Sequence, residues 1–295
     1  MAAFVRTATL GGFSAAARQL SLTPSAVSKL VTRLEARLGV RLFNRTTRRL
    51  ALTPEGSVYF ERTKRIVGDI EEAENEIAGL RKRPRGPLRI SVLVAFGRSQ
   101  LLPAVPRFLE RNPEIQLEVE LFDQRIDLVE KGVDLAIRLG ELADSSLVAR
   151  KICEVERLIC ASPAYLARRG TPRVPEDLLK HNCLWISSFP ALRHWPFATS
   201  GGTRTIPVSG NLTAGDSEAL LELACQGLGI VRFADFLVGP EIAKGRLVPL
   251  LTDVHDATPI PLQAVHAYGR QRSPKVAAMV EFLLESFGGA PWRRR

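Results

Sequence analysis

Cysteine is scarce in this chain and its spacing has no pattern. Four cysteines in 295 residues, at 153, 160, 183 and 225, form no Cys-x-x-Cys pair. That argues against a zinc site or a redox motif, and such sparse use fits a reducing compartment. No uninterrupted apolar run approaches the ~18 residues of a membrane span. Residues 1–10 carry one charge and no apolar core ahead of a small-residue cleavage site, so a secretory signal is not expected. The expected location is the cytoplasm, with no membrane partner. Catalytic signatures are missing too: there is no Gly-x-Ser-x-Gly, no Gly-x-x-x-x-Gly-Lys and no His-Glu-x-x-His. His181, His194, His255 and His266 show no metal-ligand spacing. Gly227-x-Gly229 lacks the rest of a dinucleotide fingerprint and precedes a strand pattern. No catalytic residue, metal or cofactor is therefore expected. Glycine (22) and proline (19) are too few for a low-complexity chain, and 45% hydrophobic residues suit a folded one.

What is present is an uneven charge. Residues 1–53 hold nine Lys/Arg against one acid, Glu35. Residues 54–86 balance seven bases with seven acids, and residues 87–292 hold 22 bases and 23 acids. Arg293, Arg294 and Arg295 add three cations at the end. A compact basic module beside a neutral large one suggests a polyanion partner for the first and another task for the second.

The pattern predicts three parts. Residues 1–53 read as short helices with tight turns, then Asn44 to Thr53 as a two-stranded wing. Thr53-Pro54 starts a long helix, expected to run to about Arg83. Ile66, Ile70, Ala73, Ile77 and Leu80 repeat at spacings of 4, 3, 4 and 3, a short heptad seam. A dimerising helix is favoured over one packed on its own domain. Residues 54–86 are thus a linker helix and hinge, ended by Pro84 and Pro87. Residues 87–295 alternate strands and helices, which predicts an α/β domain with mainly parallel sheets. Strands are expected at 88–94, 116–122, 133–138, 158–161, 183–186, 205–208, 229–233 and 262–268. Helices are expected at 101–111, 126–131, 163–169, 217–225 and 275–287.

The N-terminal module has the pattern of a helix-turn-helix. Thr23 caps a helix that begins with Pro24 and runs to about Leu38. Ala26, Val27, Leu30, Val31, Leu34 and Leu38 form its apolar face. Ser25, Ser28, Lys29, Thr32 and Arg33 form a second face without an acid. Small hydrogen-bonding and basic groups suit base edges in a major groove. Arg45, Arg48 and Arg49 cluster in the wing as candidate clamps on the DNA backbone, which position a protein without reading sequence. The bland alternative is a solvated surface helix, which would normally mix Glu with Lys.

These residues resemble a known family. Phe4-Val5, Gly12-Phe13-Ser14-Ala15-Ala16-Ala17, Leu20, Thr23-Pro24-Ser25-Ala26-Val27-Ser28, Leu34-Glu35, Leu38-Gly39-Val40, Leu42-Phe43-Asn44-Arg45 and Leu52-Thr53-Pro54-Glu55-Gly56 are similar to the winged helix-turn-helix of LysR-type transcriptional regulators. The family usually has several more residues ahead of the segment matching Phe4, so this chain starts late by comparison. The resemblance implies a sequence-specific regulator of double-stranded DNA, working as a homodimer or homotetramer. It also implies a two-lobed effector domain like periplasmic binding proteins, with a small molecule between the lobes. The strand pattern suggests lobe one at about 88–162 with 268–292, and lobe two at about 163–267.

Ligand contacts are expected where strand ends meet helix N-termini. Phe96, Arg98 and Ser99 lie in the turn after the first strand of the domain. Arg138 ends a strand, and Asp216 and Ser217 open a helix. Arg98 and Arg138 suit a carboxylate, so an organic acid or aromatic metabolite is the expected effector. Each residue has a plainer reading: Ser99 and Asp216 as helix caps, Arg138 as the partner of a nearby acid. Two rival functions remain: a small-molecule binding protein with a non-specific basic anchor, and an α/β enzyme with a basic appendage.

Overall fold

Thr23 and Pro24 set a clear boundary. Thr23 is extended, its Oγ1 accepts the N–H of Ala26 at 3.2 Å, and Pro24 follows at the first turn. Gly39 ends the helix at φ +71°, a conformation that strains any side chain. In this computed structural model, which describes residues 1–45, 50–77, 83–124, 128–141, 147–270 and 273–293, that helix is the third of the three that precede the wing. They are α1 (Ala2–Thr9), α2 (Phe13–Gln19) and α3 (Pro24–Leu38). The chain divides into two units, Met1–Arg83 and Pro84–Arg295.

In the first unit, Val27, Val31 and Leu34 of α3 are buried against Ala16 and Ala17 of α2 and Ala3, Phe4 and Val5 of α1. Leu30 and Leu38, expected on the same apolar face, are exposed instead. Leu30 lies about 60° off the line of the buried three, and Leu38 is in the last turn. The Phe4 ring sits 5.2 Å from Phe43, 5.6 Å from Tyr59 and 6.3 Å from Phe60. The wing is β1 (Phe43–Arg45) antiparallel to β2 (Leu50–Leu52). Helix α4 follows at Pro54–Ile77. The expected end near Arg83 and seam residue Leu80 touch residues 78–82, outside the described residues, as are the side chains of Ala73 and Ile77.

Leu42 joins these pieces. Its N–H donates to Glu35 Oε1 at 2.8 Å, and the same oxygen accepts the N–H of Phe43. Its carbonyl accepts the N–H of Thr53 at 3.0 Å. Thr53 Oγ1 donates to the Arg41 carbonyl and accepts the N–H of Gly56, capping α4. A Cβ at Gly56 would lie 2.0 Å from the Leu42 carbonyl oxygen. Glycine is required there because the helix passes directly over that backbone.

The second unit has two sheets. The first has order β4-β3-β5-β14-β6: β3 (Gly86–Val92), β4 (Ile115–Leu121), β5 (Leu135–Leu139), β6 (Leu147–Val155) and β14 (Ile260–Ala267). The second has order β11-β8-β12-β7-β13: β7 (Arg157–Ala161), β8 (Cys183–Ile186), β11 (Thr213–Ala214), β12 (Ile230–Ala234) and β13 (Val248–Pro249). Three strands in each, β4-β3-β5 and β11-β8-β12, run parallel; the returning strands add antiparallel pairs. A hairpin of β9 (His194–Thr199) and β10 (Gly202–Pro207) lies outside both. Helices α5 (Val94–Phe96), α6 (Leu102–Arg111), α7 (Leu128–Lys131) and α11 (Pro274–Phe287) belong to lobe one. Helices α8 (Pro163–Arg169), α9 (Ser217–Cys225) and α10 (Asp235–Ala243) belong to lobe two. Sheet membership moves the lobe boundaries from their expected places. β7 was expected in lobe one and pairs in lobe two; β14 was expected in lobe two and pairs in lobe one. Each follows or precedes a crossover of the chain, where local pattern carries no information about the partner strand. Arg293, counted above as part of a basic tail, binds buried Asp235 at 2.6 Å and also Glu156.

Two outcomes follow for stability. Gly56→Ala is expected to lower unfolding free energy by about 1–3 kcal/mol, since backbone must yield; chemical denaturation measures it. His255, beside Arg232, is held down to about 4 by burial and that cation. A base with a depressed pKa is protonated more readily in the unfolded chain, so stability falls as pH drops from about 6.5 toward 4. His255→Gln should flatten that part of a melting-temperature profile.

Candidate nucleic-acid interface and ligand cleft

The polar ridge of α3 faces outward. Thr23, Pro24, Ser25, Lys29, Thr32 and Arg33 are exposed and Ser28 is half-buried. Thr23 Oγ1 also lies 3.0 Å from Ser25 Oγ, so the first turn presents paired hydroxyls. Glu35, the one acid of residues 1–53, is spent on the backbone of Leu42 and Phe43, which keeps its carboxylate bound within the fold. The result is an outward helix face with cations, hydroxyls and no carboxylate, the chemistry that meets phosphates and base edges. Arg45 stands on β1 of the wing. Arg48 and Arg49 lie outside the described residues.

In the second unit the structure brings Arg98 and Asp216 together across the lobes, places Phe96 in the core and gives Ser99 a local bond. Arg98 Nη1 reaches Asp216 Oδ2 at 3.0 Å and Glu218 Oε2 at 3.2 Å, which joins lobe one to lobe two. Glu218 first and then Asp216 raise the guanidinium's pKa, so its charge is secure. Asp216 also caps α9, its Oδ1 accepting the N–H groups of Glu218 and Ala219. Ser217 is half-buried at the first position of that helix. Ser99 Oγ donates back to the Ala95 carbonyl at 2.7 Å. Phe96 is fully buried; its ring packs edge-on at 5.4 Å from Phe236 and 5.2 Å from Phe287. It belongs to the core shared by both lobes, and the apolar turn that suggested a ligand contact is explained by that packing.

Arg138 differs from Arg98. Its guanidinium donates to the carbonyls of Ser91 and Ile137 and, at 2.7 Å, to Ser91 Oγ. Burial lowers its pKa, and Asp123 and Glu120 oppose that. Among the described residues it makes no direct ion pair. Sequence reasoning missed Glu218 and Gln100. Gln100 Nε2 donates to the Phe236 carbonyl at 3.0 Å and gives the lobes a second polar link. An acid two residues after a capping Asp was the available sign of Glu218; nothing in the sequence singled out Gln100. The buried thiols of Cys153, Cys160 and Cys183 are pushed up to about 11, 12 and 12 by burial, so none is an activated nucleophile. Among the described residues, no group of three or more His, Cys, Asp or Glu is placed to hold a metal ion, and no helix is long and apolar enough to cross a membrane.

Comparison with known proteins agrees with this division of labour. Residues 1–57 match the family described as bacterial regulatory helix-turn-helix protein, lysR family, and residues 81–288 match the LysR substrate binding domain. The chain is 39% identical over 285 residues to the HTH-type transcriptional regulator CrgA of Neisseria meningitidis serogroup C, covering 97% of this chain and 95% of that protein. It is 34% identical to the HTH-type transcriptional regulator DmlR of Escherichia coli K12, covering 96% and 92%. The solved structure of CrgA from Neisseria meningitidis superposes with a TM-score of 0.66 at 38% identity, over 96% of both chains. That of the full-length virulence activator AphB from Vibrio cholerae superposes at 0.61 and 25% identity, over 96% and 97%. An outward basic recognition helix on one unit, and a two-lobed ligand domain as the other, are the parts of a DNA-binding regulator, and this chain belongs to the LysR family of transcriptional regulators.

Proposed function

We propose that α3 reads an operator and that the second unit gates this by binding a small molecule between its lobes, without turnover, in the cytoplasm. Thr23, Pro24, Ser25, Ser28, Lys29, Thr32 and Arg33 enter the major groove, while Arg45, Arg48 and Arg49 hold the flanking backbone. The observation that carries this reading is the exposed, acid-free ridge of α3 with Glu35 withdrawn into backbone bonds. The proposed domains are residues 1–53 for DNA, 54–86 for the linker helix and 87–295 for the effector. Ile66 and Ile70 of α4, neighbours on the expected seam, are 45% and 51% exposed, which favours pairing of two chains along this helix, as a dimer or a pair of dimers.

For the effector, Arg138 is the better anion partner. Arg98 already has two carboxylates, so an acid binding there must displace Asp216 and Glu218. Arg138 has only neutral acceptors, leaving its charge for a ligand carboxylate. Ser99, Asp216 and Ser217 line the approach in this reading, and Phe96 supports the wall from within the core. A ligand shifts the DNA-binding state only by binding one arrangement better than the other.

Fluorescence anisotropy against the protein's own promoter and a random duplex tests the DNA reading. Affinity should fall steeply with salt. Lys29→Ala should cost about 1–3 kcal/mol on the promoter and little on the random duplex, whereas Arg48→Ala should weaken both alike. Equal losses for Lys29→Ala would remove its base-reading role. For the effector, thermal shift against a panel of organic acids should find a stabilising ligand. Arg138→Gln should abolish the shift; a shift that survives Arg138→Gln and vanishes with Arg98→Gln assigns the anion to Arg98 instead.

A further inference from the structure

The second lobe's sheet carries two arginines that no carboxylate answers. β12 and β7 are antiparallel, with Arg232 opposite Ile159 and Ala234 opposite Arg157. Residues two apart share a sheet face, so Arg157 and Arg232 stand diagonally on one face. It is the face of Ile159, which packs with Tyr165, Trp195 and Phe197 in a small core of lobe two. Both arginines are half-buried. Arg232 Nε donates to His255 Nε2 at 2.8 Å, which makes that ring a neutral acceptor. Arg232 is lowered to about 10 by burial and then by Arg157, and burial lowers Arg157 as well. The acid that acts on Arg232 and His255 is Asp256, and its oxygens are engaged elsewhere. Oδ2 accepts from Thr203 Oγ1 at 2.7 Å, and Oδ1 accepts from the N–H and Oγ1 of Thr258. Among the described residues neither arginine has an ion pair, and Arg157 has no hydrogen-bond acceptor.

Two like charges partly withdrawn from water on one rigid face are costly unless an anion neutralises them. The sealed, unpartnered polar atoms among the described residues are Ser273 Oγ and Trp292 Nε1. The guanidinium nitrogens of Arg157 are therefore open to a group arriving from solvent. We propose that Arg157 and Arg232 form a second ligand site, on the sheet face of lobe two, for a small oxyanion: a carboxylate or phosphate group. Planar guanidinium forks held by strands suit the paired oxygens of either group. The site shares no residue with the effector set around Arg98 and Arg138 and stands independently of it.

Thermal unfolding of the full chain, at constant ionic strength set with sodium chloride, tests this with inorganic phosphate in one series and acetate in another. The site predicts a saturating rise in melting temperature with at least one anion, and the two series show which oxyanion it takes. Arg157→Met keeps the stem and removes the charge. It should melt at the same or a higher temperature without anion and lose the anion-dependent rise. Arg157→Lys keeps charge without the fork and should raise the half-saturating concentration about tenfold or more. Arg138→Gln, which removes the cation proposed for the effector carboxylate, should leave the response unchanged. The proposal is overturned by wild type with no saturating response to either anion, by an undiminished response in Arg157→Met and Arg157→Lys, or by loss of the response in Arg138→Gln.

Discussion

The backbone of Leu42 is the point on which the first unit depends. Its N–H goes to Glu35 of α3, its carbonyl to the N–H of Thr53, and Gly56 of α4 lies against that carbonyl. One buried residue thereby fixes the recognition helix, the strand entering the wing and the start of the long helix relative to one another. A hydrogen bond to a charged group contributes roughly 1.5–3 kcal/mol where its loss would leave a buried N–H unpaired. The same bonds have an electrostatic effect. They hold the only carboxylate of a strongly basic segment against the backbone, so stability and a clean positive surface come from one side chain.

In the second unit the corresponding constraint is the contact between lobes. Phe96, from the turn after β3, packs against Phe236 of α10, and Gln100 and Arg98 add polar links across the same boundary. Both rings of the aromatic contact are buried. The Arg98 pair is about half exposed, where an ion pair contributes little by itself. Such a link can break at small cost, which suits a boundary that must respond to a ligand.

Much of this was legible beforehand. Thr23-Pro24, Gly39 and Thr53-Pro54 marked helix limits because capping chemistry is local. Helices at 163–169 and 217–225 and the strand at 183–186 fall at their expected limits. The misses share a cause. β6 carries Arg150, Lys151 and Glu154 and is not among the expected strands; it gains its place from β14, more than 100 residues away. Helix α10 contains Gly239 and Pro240, poor helix residues, and forms because Phe236, Leu237 and Val238 are buried. The turn holding Phe96 resembles a binding loop in sequence, and the rings from α10 and α11 place its side chain in the core. Where the answer depended on a partner far along the chain, the local pattern could not supply it.

Charge placement separates structure from function here. Many of the second unit's cations are answered: Arg89 by Glu118, Arg111 by Glu285, Arg204 by Glu176, Arg246 by Glu241 and Arg293 by Asp235. In these pairs the counter-charge comes from the unit itself, without any ligand. Arg138, Arg157 and Arg232 break the rule, all three half-buried and all three on strands. A strand holds a side chain more rigidly than a loop does, and partial burial strengthens its field by excluding water. Hydrogen bonds and more distant acids return only part of the desolvation cost of Arg138 and Arg232, and the fold tolerates such a cost most readily where an external anion removes it. The ridge of α3 follows the same logic on a larger scale, with phosphates as the missing counter-charge.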